Sequence, residues 1–143
     1  MTQNDCRYCG GDDKALSAMM THVTNLPASK VYLWKDQTYY GRCVVAFNSH
    51  KTELFELTPG ELEQYMRDVA LVAKAVAKVS QCQKVNYGIF GDTAPHLHIH
   101  VVPKAPGQPN WGEAFVLIPA TIREADSTQA AQLMAKIRAE LVA

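Results

Sequence analysis

Three of the chain's five histidines stand at every second position of one short segment, His96-Leu97-His98-Ile99-His100-Val101-Val102. Successive side chains of a strand point to opposite faces, so the spacing predicts three imidazoles on one face and Leu97, Ile99 and Val101 on the other. The rings would stand roughly 6.5–7 Å apart, at a rise of about 3.3 Å per residue, which is one phosphate group per neighbouring pair. Near pH 7 a neutral imidazole attacks phosphorus, binds a metal or moves a proton. A lone histidine on such a strand reads as a polar, solvent-facing position, whereas three within five positions point to chemistry.

His98 is central in the row and can be flanked by donors on both sides, which makes it the nucleophile. Its attack on an α-phosphorus would form a nucleotidyl-histidine, and water would then release the nucleoside monophosphate. We expect His98 to be exposed, so that its removal spares the fold. His100 would stabilise charge on the phosphoryl oxygens or help protonate the leaving group. Asn86-Tyr87-Gly88 and the loop Gly91-Asp92-Thr93-Ala94-Pro95 precede the row and offer the N–H and hydroxyl donors that a phosphate needs. Asn86 and Thr93 are therefore nucleotide-binding candidates. The competing readings are a strand-end turn residue for Asn86 and a loop hydroxyl bonded to its own backbone for Thr93.

Cys6 and Cys9 have the spacing at which one knuckle presents two thiolates to a tetrahedral ion. His50 and His96 are candidates for the other two ligands, giving a Cys2His2 set, with His22 a poorer alternative. A ligating His96 cannot also be the nucleophile, which leaves His98 and His100 for chemistry. A closed four-ligand set makes a zinc ion structural, with no open position for water. A redox Cys-x-x-Cys would need a βαβ context that this chain lacks. Cys43 and Cys82 read as small buried apolar residues.

The elements that must position these groups follow from pattern. The 143 residues suffice for one domain, 1–143, that buries about two-thirds of the surface its unfolded chain exposes. Formal net charge is zero, which argues against a nucleic-acid surface built on phosphate neutralisation. No apolar run reaches membrane-spanning length and the N-terminus lacks signal-peptide regions, so a cytoplasmic protein without membrane attachment is expected. Segment 1–15 is a turn-rich knuckle whose order requires a bound ion. Met20–Asn25, Lys30–Lys35 and Gly41–Phe47 read as strands, as do Lys84–Phe90 and Leu97–Pro103, a pair within 84–103 that carries the histidines. Thr58-Pro59-Gly60-Glu61 is a capping-box helix start, and an apolar stripe from Leu62 through Tyr65, Met66, Val69, Val72, Ala73 and Val76 to Val79 extends a main helix over 59–82. Ser127–Leu141 reads as a second helix. The class is α+β, one antiparallel sheet with helices on one side.

His96-Leu97-His98-Ile99-His100-Val101-Val102-Pro103 resembles the signature of the histidine triad (HIT) superfamily, His-φ-His-φ-His-φ-φ with φ apolar. The resemblance extends to the N-terminal Cys-x-x-Cys, to the strand from Gly41 toward His50, to Leu54-Phe55-Glu56-Leu57-Thr58-Pro59, and to Asn86. It implies a HIT-like fold of five antiparallel strands with two helices on one face, a homodimer, and a hydrolase or transferase of nucleoside monophosphates. The substrate would be a dinucleoside polyphosphate, a nucleoside phosphoramidate or a related AMP conjugate. The nucleophile of the family falls on His98, whose Nδ1–H would be held by a main-chain carbonyl. The zinc ligands of related uridylyltransferases and bacterial members fall on Cys6, Cys9, His50 and His96. Many members carry Gly-Gln-Ser/Thr before the triad where this chain has Gly91-Asp92-Thr93, so Asp92 would meet the nucleotide through water, turn away, or select a different leaving group. The residue that holds the ribose hydroxyls falls on Asp36, and Val31, Leu33 or Trp34 would line the base pocket. Trp111 would reach a neighbouring subunit's pocket or tuck against its own surface. The alternative is a nucleotide-binding interaction module that turns over slowly or not at all, and a third reading, a zinc-dependent hydrolase, needs an open metal site.

Overall fold

The computed structural model describes residues 2–10 and 13–143; the turn-rich knuckle read over 1–15 includes Met1, Gly11 and Asp12, which lie outside the described residues. Strands β1 (Met20–Asn25), β2 (Ser29–Trp34), β3 (Cys43–Phe47), β4 (Lys84–Ile89) and β5 (His98–Lys104) form one sheet in the order β1-β2-β3-β5-β4. Every neighbouring pair is antiparallel. The five-stranded antiparallel sheet expected from the sequence is therefore present. A short helix α1 (Asp13–Met19), not anticipated, leads directly into β1. Lys14, Ala15, Leu16, Ala18 and Met19 are all good helix formers, and their run was too short to show a periodic stripe.

Helices α2 (Pro59–Ser80) and α3 (Ser127–Leu141) pack together and cover one face of the sheet. The start of α2 is the expected capping box: Glu61 N donates to Thr58 Oγ1 at 3.2 Å, and Thr58 N donates to Glu61 Oε2 at 2.9 Å. Its end is two residues earlier than Cys82, because Gln81 adopts a left-handed backbone at φ 55°. Leu62 and Met66, placed on the apolar stripe by periodicity, are exposed; the sheet contact uses Tyr65, Val69, Val72, Ala73 and Val76. A second capping box, Asp126 with Gln129, starts α3 and buries Leu133, Ile137 and Leu141.

The layer beneath these helices contains Val31, Leu33, Cys43, Val45, Ile99 and Val101, at about 1.5–3 kcal/mol for each large side chain removed from water. Two polar ties pin the helix to the sheet. Tyr65 Oη donates to the Val45 carbonyl at 2.7 Å, and the buried Asp68 carboxylate accepts from Ala28 N at 2.9 Å and Ser29 Oγ at 2.7 Å. The opposite face carries a second apolar layer of Cys6, Tyr8, Met20, Tyr32, Trp34, Val44, Ala46 and Ala94. A long connection, 105–126, is fastened there by Lys104 Nζ to the Glu113 carbonyl, Val116 N to Tyr39 Oη, and Arg123 N to Asp36 Oδ1.

Candidate functional site

His98 and His100 lie on β5 and face this second layer, His98 opposite Ala46 and His100 opposite Val44 on β3. His96 is not in the strand. Pro95 denies the ladder an N–H, and His96 N turns back to the Ala94 carbonyl at 2.7 Å, so the first imidazole stands in a bend. The three rings still share one side, since Tyr8 stacks against both His96 and His98 with centroids 5.1 and 5.0 Å away. His98 and His100 are 5.3 Å apart, closer than a flat strand gives. All three are buried, and His98, at 6 % exposure beneath Tyr8, is not the exposed residue expected. The strand pattern showed which face the rings share but not that Cys6, Tyr8, Met19 and Met20 cover it.

Burial sets the protonation of these rings. His98 and His96 are both lowered from the ordinary imidazole value, chiefly because burial penalises the charged form. His100 falls to about 3 through burial, then the nearby Arg42 and His98. Hydrogen bonds fix which nitrogen carries the proton. His98 Nδ1–H donates to the His96 carbonyl at 2.6 Å, which leaves the Nε2 lone pair free. His96 Nε2–H donates to the Phe47 carbonyl at 2.7 Å and turns Nδ1 toward the thiols.

That nitrogen completes the ligand set read from the sequence. Cys6 Sγ and Cys9 Sγ lie 3.4 and 3.5 Å from His96 Nδ1, and Cys9 Sγ lies 3.5 Å from His50 Nδ1. All four ligand atoms fall within 4.8 Å of one another. With bonds of about 2.3 Å to sulfur and 2.0–2.1 Å to nitrogen, a tetrahedral ion separates S and N ligands by about 3.6 Å. The spacing therefore fits a tetrahedral ion, and the Phe47 carbonyl behind His96 is the outer partner that such a ligand uses. Without an ion the neighbouring thiols oppose ionisation: burial, then the adjacent Cys6, pushes Cys9 up to about 11.

A cavity of about 80 Å³ opens beside His98 and His100 and is lined by Arg7, Tyr8, Thr93 and Ala94 among others. A larger one of about 200 Å³ adjoins it, sharing Met19, Trp34 and Ile118 and reaching Asp36. Thr93 is thus brought to the histidines. Asp92 faces a separate depression with Thr52 and Glu53. Asn86 stands on the triad side, opposite Val102, but outside both cavities. Asp36 is buried and uses Oδ1 to hold Thr38 and Arg123 N, while Oδ2 has no hydrogen-bond partner among the described residues. Trp111 is 43 % exposed.

Sequence reasoning missed Arg42, which is fully buried with Nη2 3.1 Å from His100 Nδ1. Its guanidinium carbon sits 4.4 Å from the Trp34 ring centroid and 5.3 Å from that of Phe115. Gly88, opposite His100 on β4, makes this packing possible, because a Cβ there would meet Phe115 at 2.6 Å and Phe90 at 2.7 Å. The signal was period two, since Arg42 precedes Val44 and Ala46 on the triad face. It becomes readable only with the β3–β5 register in hand.

Comparison with known proteins gives a consistent likeness. A family model described as the HIT domain matches residues 17–107. The bis(5'-nucleosyl)-tetraphosphatase [asymmetrical] of Schizosaccharomyces pombe is 36 % identical over 56 residues, 36 % of this chain and 31 % of the relative, so the match spans about a third of that relative's length. Among solved structures, a histidine triad protein from Bradyrhizobium japonicum superposes with a TM-score of 0.82 at 22 % identity, over 90 % of this chain and 95 % of the other. A Zn-bound histidine triad family protein from Mycobacterium smegmatis gives 0.69 at 18 % identity, over 99 % and 96 %. At these identities the two structures speak for the fold.

Proposed function

The chain belongs to the HIT domain family, and from that membership we propose that it is a nucleotide hydrolase in which His98 attacks the α-phosphorus of an AMP-type conjugate. The observation that carries the reading is the hydrogen bond from His98 Nδ1–H to the His96 carbonyl, because it leaves Nε2 as a lone pair directed away from the strand. Burial keeps that ring neutral, so the lone pair is available below the ordinary imidazole range. The attack forms a P–Nε2 bond and breaks the bond from phosphorus to the leaving group. Water then cleaves P–Nε2, returns the electron pair to the ring and yields the monophosphate.

The two adjoining cavities suit the two halves of that product. The smaller, with His98, His100, Thr93 and Arg7, has the size and donors for a phosphoryl group. The larger, walled by Trp34, Met19 and Ile118 with Asp36 at its margin, suits a base and ribose, and Asp36 is the carboxylate nearest the ribose hydroxyls. Asn86 and Asp92 lie beyond these cavities, and their role is with the leaving group, Asp92 through water. Cys6, Cys9, His50 and His96 would hold a structural Zn(2+), and as a closed set of four protein ligands they would tie down the segment that carries Arg7 and Tyr8. Family resemblance further assigns a cytoplasmic homodimer.

The Tyr8 stack over His98 favours one second reading, a nucleotide-binding module that turns over slowly. Incubation with diadenosine tetraphosphate separates the two. Steady release of AMP and ATP by wild type but not by His98→Asn supports the hydrolase, whereas saturable binding without product leaves the module.

A further inference from the structure

We infer that Arg42 locks His100 as the tautomer with its proton on Nε2, so that His100 donates a hydrogen bond to the phosphoryl group without giving up a proton, and that the site therefore cleaves phosphoanhydrides in preference to phosphoramidates. The inference rests on the hydrolase reading above and narrows its substrate class.

A guanidinium has only N–H donors, so the Arg42 Nη2 to His100 Nδ1 contact at 3.1 Å requires a bare lone pair on Nδ1. A neutral His100 must then carry its proton on Nε2, and an imidazolium would set N–H against N–H. Arg42 cannot turn away to relieve this. It is fully buried, held between Trp34 and Phe115, and its Nε and Nη1 have no other hydrogen-bond partner among the described residues. The charged or titratable groups acting on His100 are Arg42 and His98, and both disfavour imidazolium. Its other ring neighbours, Trp34, Phe90 and Phe115, are aromatic.

The titratable groups lining the smaller cavity are Arg7, Tyr8, His98 and His100. Arginine does not surrender a proton. Tyr8 lies face-on over His98 with ring centroids 5.0 Å apart, a phenol is a poor acid near pH 7, and the Nδ1 proton of His98 is committed to the His96 carbonyl. Cleaving an anhydride needs no acid here, because the electron pair of the breaking P–O bond departs on a stable phosphate anion while P–Nε2 forms. Cleaving a phosphoramidate would send the pair to nitrogen, which departs only after protonation, and no group lining this cavity provides that proton near pH 7.

The test compares kcat/KM for diadenosine tetraphosphate and adenosine 5′-phosphoramidate in wild type and Arg42→Gln, with ring ¹⁵N shifts of His100 recorded on the wild-type protein. We expect wild type to favour the anhydride by at least about 10²-fold, the contribution a positioned general acid ordinarily makes. The ring should show a protonated Nε2 and a bare Nδ1. Arg42→Gln, which frees Nδ1 to take a proton, should narrow the preference by about tenfold or more. Comparable wild-type rates on both substrates, an unchanged ratio in a folded variant, or a proton on Nδ1 at pH 7 would each overturn the inference. Turnover of neither substrate would instead remove the hydrolase reading, and the ring spectrum would still decide whether Arg42 sets the tautomer. If Arg42→Gln fails to fold, the wild-type ratio and spectrum decide alone.

Discussion

Ile99 and Val101 lean into the layer beneath α2 and α3, while His98 and His100, alternating with them on β5, lean into the layer beneath the N-terminal segment. The backbone is shared and the two covers are unlike. On the helix side, long self-capped helices bury Val, Ile and Leu and leave few polar groups to satisfy. On the triad side, short turns beside the Cys6, Cys9, His50 and His96 cluster and side-chain-to-backbone ties bury three imidazoles and an arginine. Apolar burial stabilises the first layer outright, whereas in the second it changes which groups are charged and which lone pairs are free. Stability and chemistry are thus divided between faces of one sheet, and each face can be disturbed separately.

The largest expected effect sharpens that division: His98→Asn lowers AMP release by about 10⁶-fold, as loss of a nucleophile does, while the variant still unfolds in one cooperative transition by calorimetry. Next in size is removal of the ion, by chelation or by Cys6→Ser with Cys9→Ser. It should lower Tm by about 5 °C or more and open amide exchange in residues 2–10 and 13–20, with the α2 and α3 amides still protected. Uniform loss of protection across both faces would break the division. Ile137→Ala is the reverse test, costing about 3 kcal/mol in urea unfolding with AMP release per folded molecule unchanged. The response to pH is spread over several units and is the smallest per unit. With His100 at about 3 when folded and an ordinary value of 6.5 when unfolded, the unfolded chain alone takes up the proton between them. Stability therefore falls as pH drops through that window, by up to about 1.4 kcal/mol per pH unit. Ile137→Ala should keep that slope, and His100→Asn should make it shallower, with His96 and His98 supplying the remainder.

Legibility follows the same line. The strand alternation, the Thr58–Glu61 cap and the Cys6, Cys9, His50 and His96 set could be read because each rests on local spacing or a specific motif. The burial of His98 beneath Tyr8 was hidden, since nothing in 96–102 says what folds back over it. The separation of Thr93 from neighbouring Asp92 was hidden too, because a bend aims adjacent residues into different cavities. Arg42 needed the β3–β5 register, a long-range pairing that no local pattern encodes.

A covalent intermediate on His98 is the central claim, and intact mass after millisecond mixing with diadenosine tetraphosphate tests it most directly. Wild type should gain one adenylyl group that decays with AMP release, and His98→Asn should gain none. Steady AMP release without an adduct, or the same adduct on His98→Asn, would contradict it.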